Sequence, residues 1–210
     1  MTIGAEPADQ AAGTGRLAGA PVRRRVCDVA ELPDPLPAAL DTGLPGSFPA
    51  GGRPAAVVLG LQAYQALADH PFSPHVEEGG FLVGYRHVIP GDPGRDMLEV
   101  TAAPAAQCPD ASRSRLTFPG ESFLRLGEFL AWRDRGEVLL GWYHTHLFQA
   151  SLAFGLSDID VRFHQAVFRR PWQVAALINL HASGRVLRIY QRAEGGDLVE
   201  VRFRAQSPAC

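Results

Sequence analysis

EVLLGWYHTH, residues 137 to 146, is an apolar run that ends in two histidines one residue apart. A short apolar stretch of this kind reads as a strand. Side chains alternate faces along a strand, so His144 and His146 point the same way. Two neutral imidazoles are awkward core filling. Two imidazoles holding one metal ion are not.

Outward from this strand, the chain alternates between short elements. Upstream, AAVVLG (55 to 60) reads as a strand and LQAYQALADH (61 to 70) as a helix, with Leu61, Tyr64 and Leu67 on one face. GGFLVGYRHVI (79 to 89) reads as a strand, GDPG (91 to 94) as a turn and MLEVTAA (97 to 103) as the partner strand. The spacing of Phe123, Leu126, Leu130 and Ala131 predicts a helix over 118 to 136, stopped by Gly136. Downstream, SDIDVRFHQAVFRR (157 to 170) reads as a helix opened by Ser157 and ended before Pro171. WQVAALINL, GRVLRIYQR and DLVEVRFRA follow as strands, the last two alternating cleanly. There are no internal repeats. The mixed order predicts an α+β domain with a largely antiparallel sheet.

Residues 1 to 52 are rich in Ala, Gly and Pro, with few apolar residues at any period, and read as a flexible arm ahead of a domain over 53 to 206. At 210 residues and 46% hydrophobic content, the chain can bury one sizeable core. A net charge of -2 leaves no electrostatic footprint for nucleic acid. No apolar run approaches the ~20 residues that cross a membrane, and the N-terminus lacks the pattern of a signal peptide. Cys27, Cys108 and Cys210 are scattered, which disfavours both a disulfide framework and a Cys-based zinc site. A cytoplasmic protein is the expectation. All 20 basic residues are Arg, with no Lys, as a GC-rich genome would produce. The chain therefore has no side-chain amine to which another protein's C-terminus could be joined.

A hydrolytic zinc site needs three protein ligands and one open position for water. His144 and His146 supply two, and Asp158 and Asp160 are the next carboxylates along the chain. A base must lie close by, and Glu77 and Glu78 precede the glycine-rich strand. The bland readings are an acidic helix N-terminus capped by Ser157, with Asp160 in a capping box, and a solvated strand entrance. His70, His75, His87, His164 and His181 have no spacing that converges with the pair.

Taken together the motifs resemble the JAMM (JAB/MPN-type) zinc metalloproteases. The pattern E-x-x-G-x-L-x-G is met by Glu77 to Gly84, H-[ST]-H by His144 to His146, and S-x-x-D by Ser157 to Asp160. The chain departs from the pattern with Leu147 in place of the usual Pro. It also departs in LFQASLAFGL (147 to 156), three residues longer than the common gap and unusually apolar through Leu147, Phe148, Leu152, Phe154 and Leu156. This loop is expected to face the substrate, with packing down as a lid the other reading. The resemblance covers residues 53 to 205 and implies an MPN/JAB-type domain, its mixed, largely antiparallel sheet flanked by helices. It implies that His144, His146 and Asp160 bind Zn²⁺, that Glu77 is the general base and that Ser157 hydrogen-bonds an oxyanion. It further implies a bacterial isopeptidase or peptidase that cleaves after the tail of a ubiquitin-like protein. Removal of a small adduct from a sulfur-carrier protein is the alternative within the enzyme class. A catalytically silent MPN scaffold is the alternative outside it.

Overall fold

The computed structural model describes residues 25–26, 56–88, 96–150, 155–181 and 184–205. The expected arm over 1 to 52 lies outside them except for Arg25 and Val26, and the GDPG turn lies outside altogether. Nine strands and three helices occur among the described residues, in the order β1 (Arg25–Val26), β2 (Ala56–Leu59), α1 (Leu61–Ala68), β3 (Gly79–Val88), β4 (Asp96–Ala102), α2 (Gly120–Arg133), β5 (Val138–His146), α3 (Asp158–Val167), β6 (Val174–His181), β7 (Gly184–Arg192), β8 (Leu198–Val201) and β9 (Phe203–Ala205).

The strands form one sheet in the order β8-β7-β6-β5-β3-β4-β2-β9, with β1 beside β3. Only Arg202 separates β8, at one end of this path, from β9, at the other. Laid flat, the outer strands of eight would stand roughly 34 Å apart at ~4.8 Å per step. Two Cα–Cα steps of chain reach at most about 7.6 Å. The sheet therefore curls until its edges nearly meet, as a barrel-like sheet just short of closure.

This corrects the sequence expectation. The fold is not an α+β sandwich of MPN/JAB type built on a largely antiparallel sheet. It is mostly sheet, with three helices among the described residues. Its pairings divide evenly: β1–β3, β2–β4, β2–β9 and β5–β6 are parallel, while β3–β4, β3–β5, β6–β7 and β7–β8 are antiparallel. The misreading has a physical cause. Alternation in DLVEVRFRA reports which side chains face inward, and that pattern is the same for one strand or for two on opposite edges. The stretch holds two.

β5 is central, with β3 on one side and β6 on the other. Leu140 to His146 are all buried, as expected for a strand covered on both faces. A register shift between Leu82 and Val83 opposite β5 lets Leu140 share a face with Tyr143. That face packs with Leu59, Leu67, Leu82, Ile178 and Ile189, under α1. Trp142 turns the other way, to Phe81, Leu126, Phe168 and Leu177, under α2 and α3. His144 and His146 follow Trp142 on this second face, at the end of the strand.

The glycines of GGFLVG have a steric role. A Cβ at Gly80 would meet the Pro104 carbonyl, and one at Gly84 would meet the Glu99 carbonyl of β4. The close approach of neighbouring backbone excludes a side chain at both positions.

Candidate metal centre

The strand end and the start of α3 bring the side chains of three candidate ligands together. His144 Nε2 lies 3.0 Å from His146 Nε2. Asp160 Oδ1 is 3.3 Å from the first and Oδ2 is 3.5 Å from the second. Zinc bonds of 2.0–2.2 Å at tetrahedral angles put ligand atoms roughly 3.3–3.5 Å apart. The imidazole-to-carboxylate distances match that spacing, and the two nitrogens, at 3.0 Å, stand slightly closer than it. The donor set, two imidazoles and a carboxylate, suits zinc and would leave the ion a net charge near +1. Burial pushes the His144 imidazole below its ordinary pKa, which keeps its lone pair free for a cation. Both Nδ1 atoms are buried without a hydrogen-bond partner among the described residues. An acceptor for those N–H groups is the one part of a usual zinc shell not supplied there.

Asp160 is held in place by the cap of α3. Ser157 N–H donates to Asp160 Oδ2 at 2.8 Å and Ser157 Oγ donates to the same oxygen at 2.7 Å. Asp160 N–H returns a bond to Ser157 Oγ at 3.2 Å, completing a capping box. Burial works to raise the Asp160 carboxyl, but the contacts from His144, His146 and Ser157 outweigh it and hold the pKa well below the carboxylate range. The capping box and a place among candidate ligands are therefore compatible in Asp160. Ser157, expected to donate to an oxyanion, is exposed beside the cluster with its hydroxyl turned to Asp160. Asp158 is exposed in the first turn and lies outside the cluster.

Glu77 and Glu78 separate as strand alternation requires. Gly79 pairs with His144. Thr145 N–H donates to the Glu78 carbonyl at 2.8 Å, and Glu78 N–H donates to Thr145 Oγ1 at 2.9 Å. Continued two residues further, the same register sets Glu77 opposite His146, on the side of the cluster. Its carboxyl is buried, which raises its pKa to about 7; the His146 charge opposes that rise and the Asp160 charge adds to it. Glu78 instead closes the preceding loop, where its Oε2 accepts Ser73 N–H at 2.8 Å.

His164, Asn179 and Arg188 were missed from sequence as contributors, whereas Phe148 was singled out there. His164 is fully buried on α3, and Trp142 Nε1–H donates to its Nδ1 at 3.1 Å. Asp160 and His164 are four residues apart, a spacing that marks one helix face. Phe148 sits against His146 with ring centroids 4.8 Å apart, and its carbonyl accepts from Asn179 Nδ2 at 3.1 Å. Arg188 Nη2 donates to Asn179 Oδ1 at 2.9 Å, so a buried polar chain braces the segment after His146. Nothing in residue spacing links β6 and β7 to that segment. His87 is occupied elsewhere, with Glu99 at 2.8 Å. Leu152 and Phe154 of the apolar loop lie outside the described residues.

No family model matches the chain, and no curated protein is similar to it in sequence. Among solved structures, it is similar to the solution structure of protein DSY2949 from Desulfitobacterium hafniense, at 20% identity and a TM-score of 0.50. The likeness covers 72% of this chain and 94% of that one. Such a likeness speaks for the fold alone. No helix among the described residues is long and apolar enough to cross a membrane.

Proposed function

We propose that the cluster is a hydrolytic zinc centre of the kind carried by the JAMM metalloproteases. The substrate we assign is the peptide or isopeptide bond after the extended C-terminal tail of a ubiquitin-like protein. One observation carries the reading. The side chains of His144, His146 and Asp160 converge, with contacts of 3.0 to 3.5 Å, beside a buried carboxyl, Glu77, that is poised to exchange a proton near neutral pH.

A zinc ion held by His144, His146 and Asp160 would supply Lewis acidity, polarising water and the scissile carbonyl. The chain's own groups do the rest. Glu77 takes a proton at its carboxylate from the attacking water and later delivers it to the departing amine. Ser157 Oγ lies at the cluster; rotation of its hydroxyl away from Asp160 would let it donate to a developing oxyanion. The Phe148 ring, 45% exposed against His146, offers an apolar wall to the substrate tail. Residues of the types needed as ligands, base and oxyanion donor are gathered at one place, which favours an enzyme over a silent scaffold.

The test is a fusion of a Gly-Gly-tailed ubiquitin-like protein to a reporter, through a peptide bond in one sample and a lysine isopeptide bond in another. Cleavage by the zinc-loaded chain is expected, with loss on chelation and in Glu77→Gln. Cleavage confined to a small amino-acid adduct on a sulfur carrier would replace the substrate assignment. No cleavage of any of these by a chain that does hold zinc would overturn it.

A further inference from the structure

We infer that Trp142 and His164 form a latch that sets the register of α3 against β5, and through it the zinc affinity of the site. This rests on the reading of His144, His146 and Asp160 as metal ligands. Two ligands ride on β5 and the third on α3, so the cluster exists only while strand and helix hold one relative position. An ångström of misplacement between helix and strand is a large error among ligand atoms. Hydrophobic contacts are non-directional. A hydrogen bond between the two elements is directional.

The bond from Trp142 Nε1–H to His164 Nδ1, 3.1 Å long, joins those two elements directly. Each end stands beside a ligand. The Trp142 ring stacks on His144, with centroids 4.7 Å apart and planes 16° from parallel. His164 is one helical turn beyond Asp160 on the same face of α3. An indole N–H only donates, so His164 Nδ1 must present its lone pair and the ring proton sits on Nε2. That Nε2 is buried and has no hydrogen-bond partner among the described residues. If only volume mattered, Leu or Phe would fill the place without leaving a buried donor unpaired. What histidine adds at position 164 is one aimed acceptor for the indole. His164 is therefore a positioning residue that touches no substrate and acts through Asp160.

Zinc affinity, measured by competition with a chromophoric chelator on the full chain, and the melting temperature of the zinc-free chain together test this. His164→Leu removes the acceptor, and Trp142→Phe removes the donor while keeping a ring against His144. Each is expected to weaken zinc binding by roughly 10-fold or more. The double variant should be no worse than the weaker single one, because both remove the same bond. His164→Asn offers Oδ1 where Nδ1 stood, so it should bind zinc within a few-fold of the native chain even if its melting temperature falls. Native-like zinc affinity in His164→Leu would overturn the inference. So would equal losses in His164→Leu and His164→Asn that follow their melting temperatures, which would reduce the pair to packing. A native chain that takes up no zinc would remove the metal centre itself and this inference with it.

Discussion

Glu77 and Asp160 share one centre and are shifted in opposite directions, and this gives the residue scale its sharpest tests. Glu77→Gln keeps size and polarity but cannot take a proton. It should hold zinc near-stoichiometrically while kcat falls roughly 10²–10⁴-fold. Asp160→Asn should instead lose zinc, since it removes the one anionic ligand. Glu78→Gln should do little to either, because an amide oxygen can still accept Ser73 N–H. If Glu78→Gln were inactive and Glu77→Gln active, the pairing of Glu77 with His146 would be wrong. Glu77 also couples stability to pH in the zinc-free chain. Folded, it keeps its proton to about pH 7; unfolded, it releases it near its ordinary value of 4.5. Between those values the folded state binds more proton, so the contribution of Glu77 to stability falls as pH rises. Melting curves from pH 4.5 to 7.5 should therefore show Glu77→Gln gaining on the native chain as pH increases. Parallel curves would mean the carboxyl is not buried as described. That His144, His146 and Asp160 lie together could be anticipated in part: strand period aligns the two histidines, while the resemblance to the JAMM pattern pointed to Asp160 and to Glu77 rather than Glu78. His164 and Arg188 could not, because each meets its partner only through tertiary packing.

At the scale of elements, the segment after His146 and the β3–β4 pairing make separate predictions. Phe148→Ala leaves the Asn179 bond to the backbone carbonyl in place and removes only the ring against His146. It should raise KM with little change in melting temperature. A large loss of stability with KM unchanged would return the ring to a structural role. In β3, Gly84→Ala drives a Cβ into the Glu99 carbonyl and should cost about 1–3 kcal/mol in denaturant melts. Element types were largely readable, because the apolar periods of 2 and 3.6 are local. Ends were less so. The helix expected to stop at Gly136 ends instead at Asp134, whose φ of 42° is left-handed, and DLVEVRFRA divides at Arg202.

At the scale of the whole molecule, near-closure was the property that local patterns did not carry. A two-residue period says that Val199, Val201, Phe203 and Ala205 share a character. It does not say that the first two pair along β7 while the last two lie on β2. Phe203 packs against the core from β9, so Phe203→Ala should cost about 1–3 kcal/mol, less than a fully buried Phe would. An unchanged melting temperature would mean that β9 is not docked and that the sheet edges do not approach. The curled sheet also sets the stage for the site. β5 runs at its centre, flanked by β3, with Glu77 two residues ahead of it, and by β6, whose Asn179 bonds the Phe148 carbonyl, so a rigid strand delivers both histidines to α3. Everything functional here depends on an ion occupying that meeting point. Zinc content by atomic emission, on the chain purified from zinc-supplemented cells and dialysed, asks this directly. About one zinc per chain is expected, retained in Glu77→Gln and lost in Asp160→Asn and in a His144→Ala, His146→Ala double variant. Zinc absent from the native chain, or held equally by the ligand variants, would contradict the metal centre.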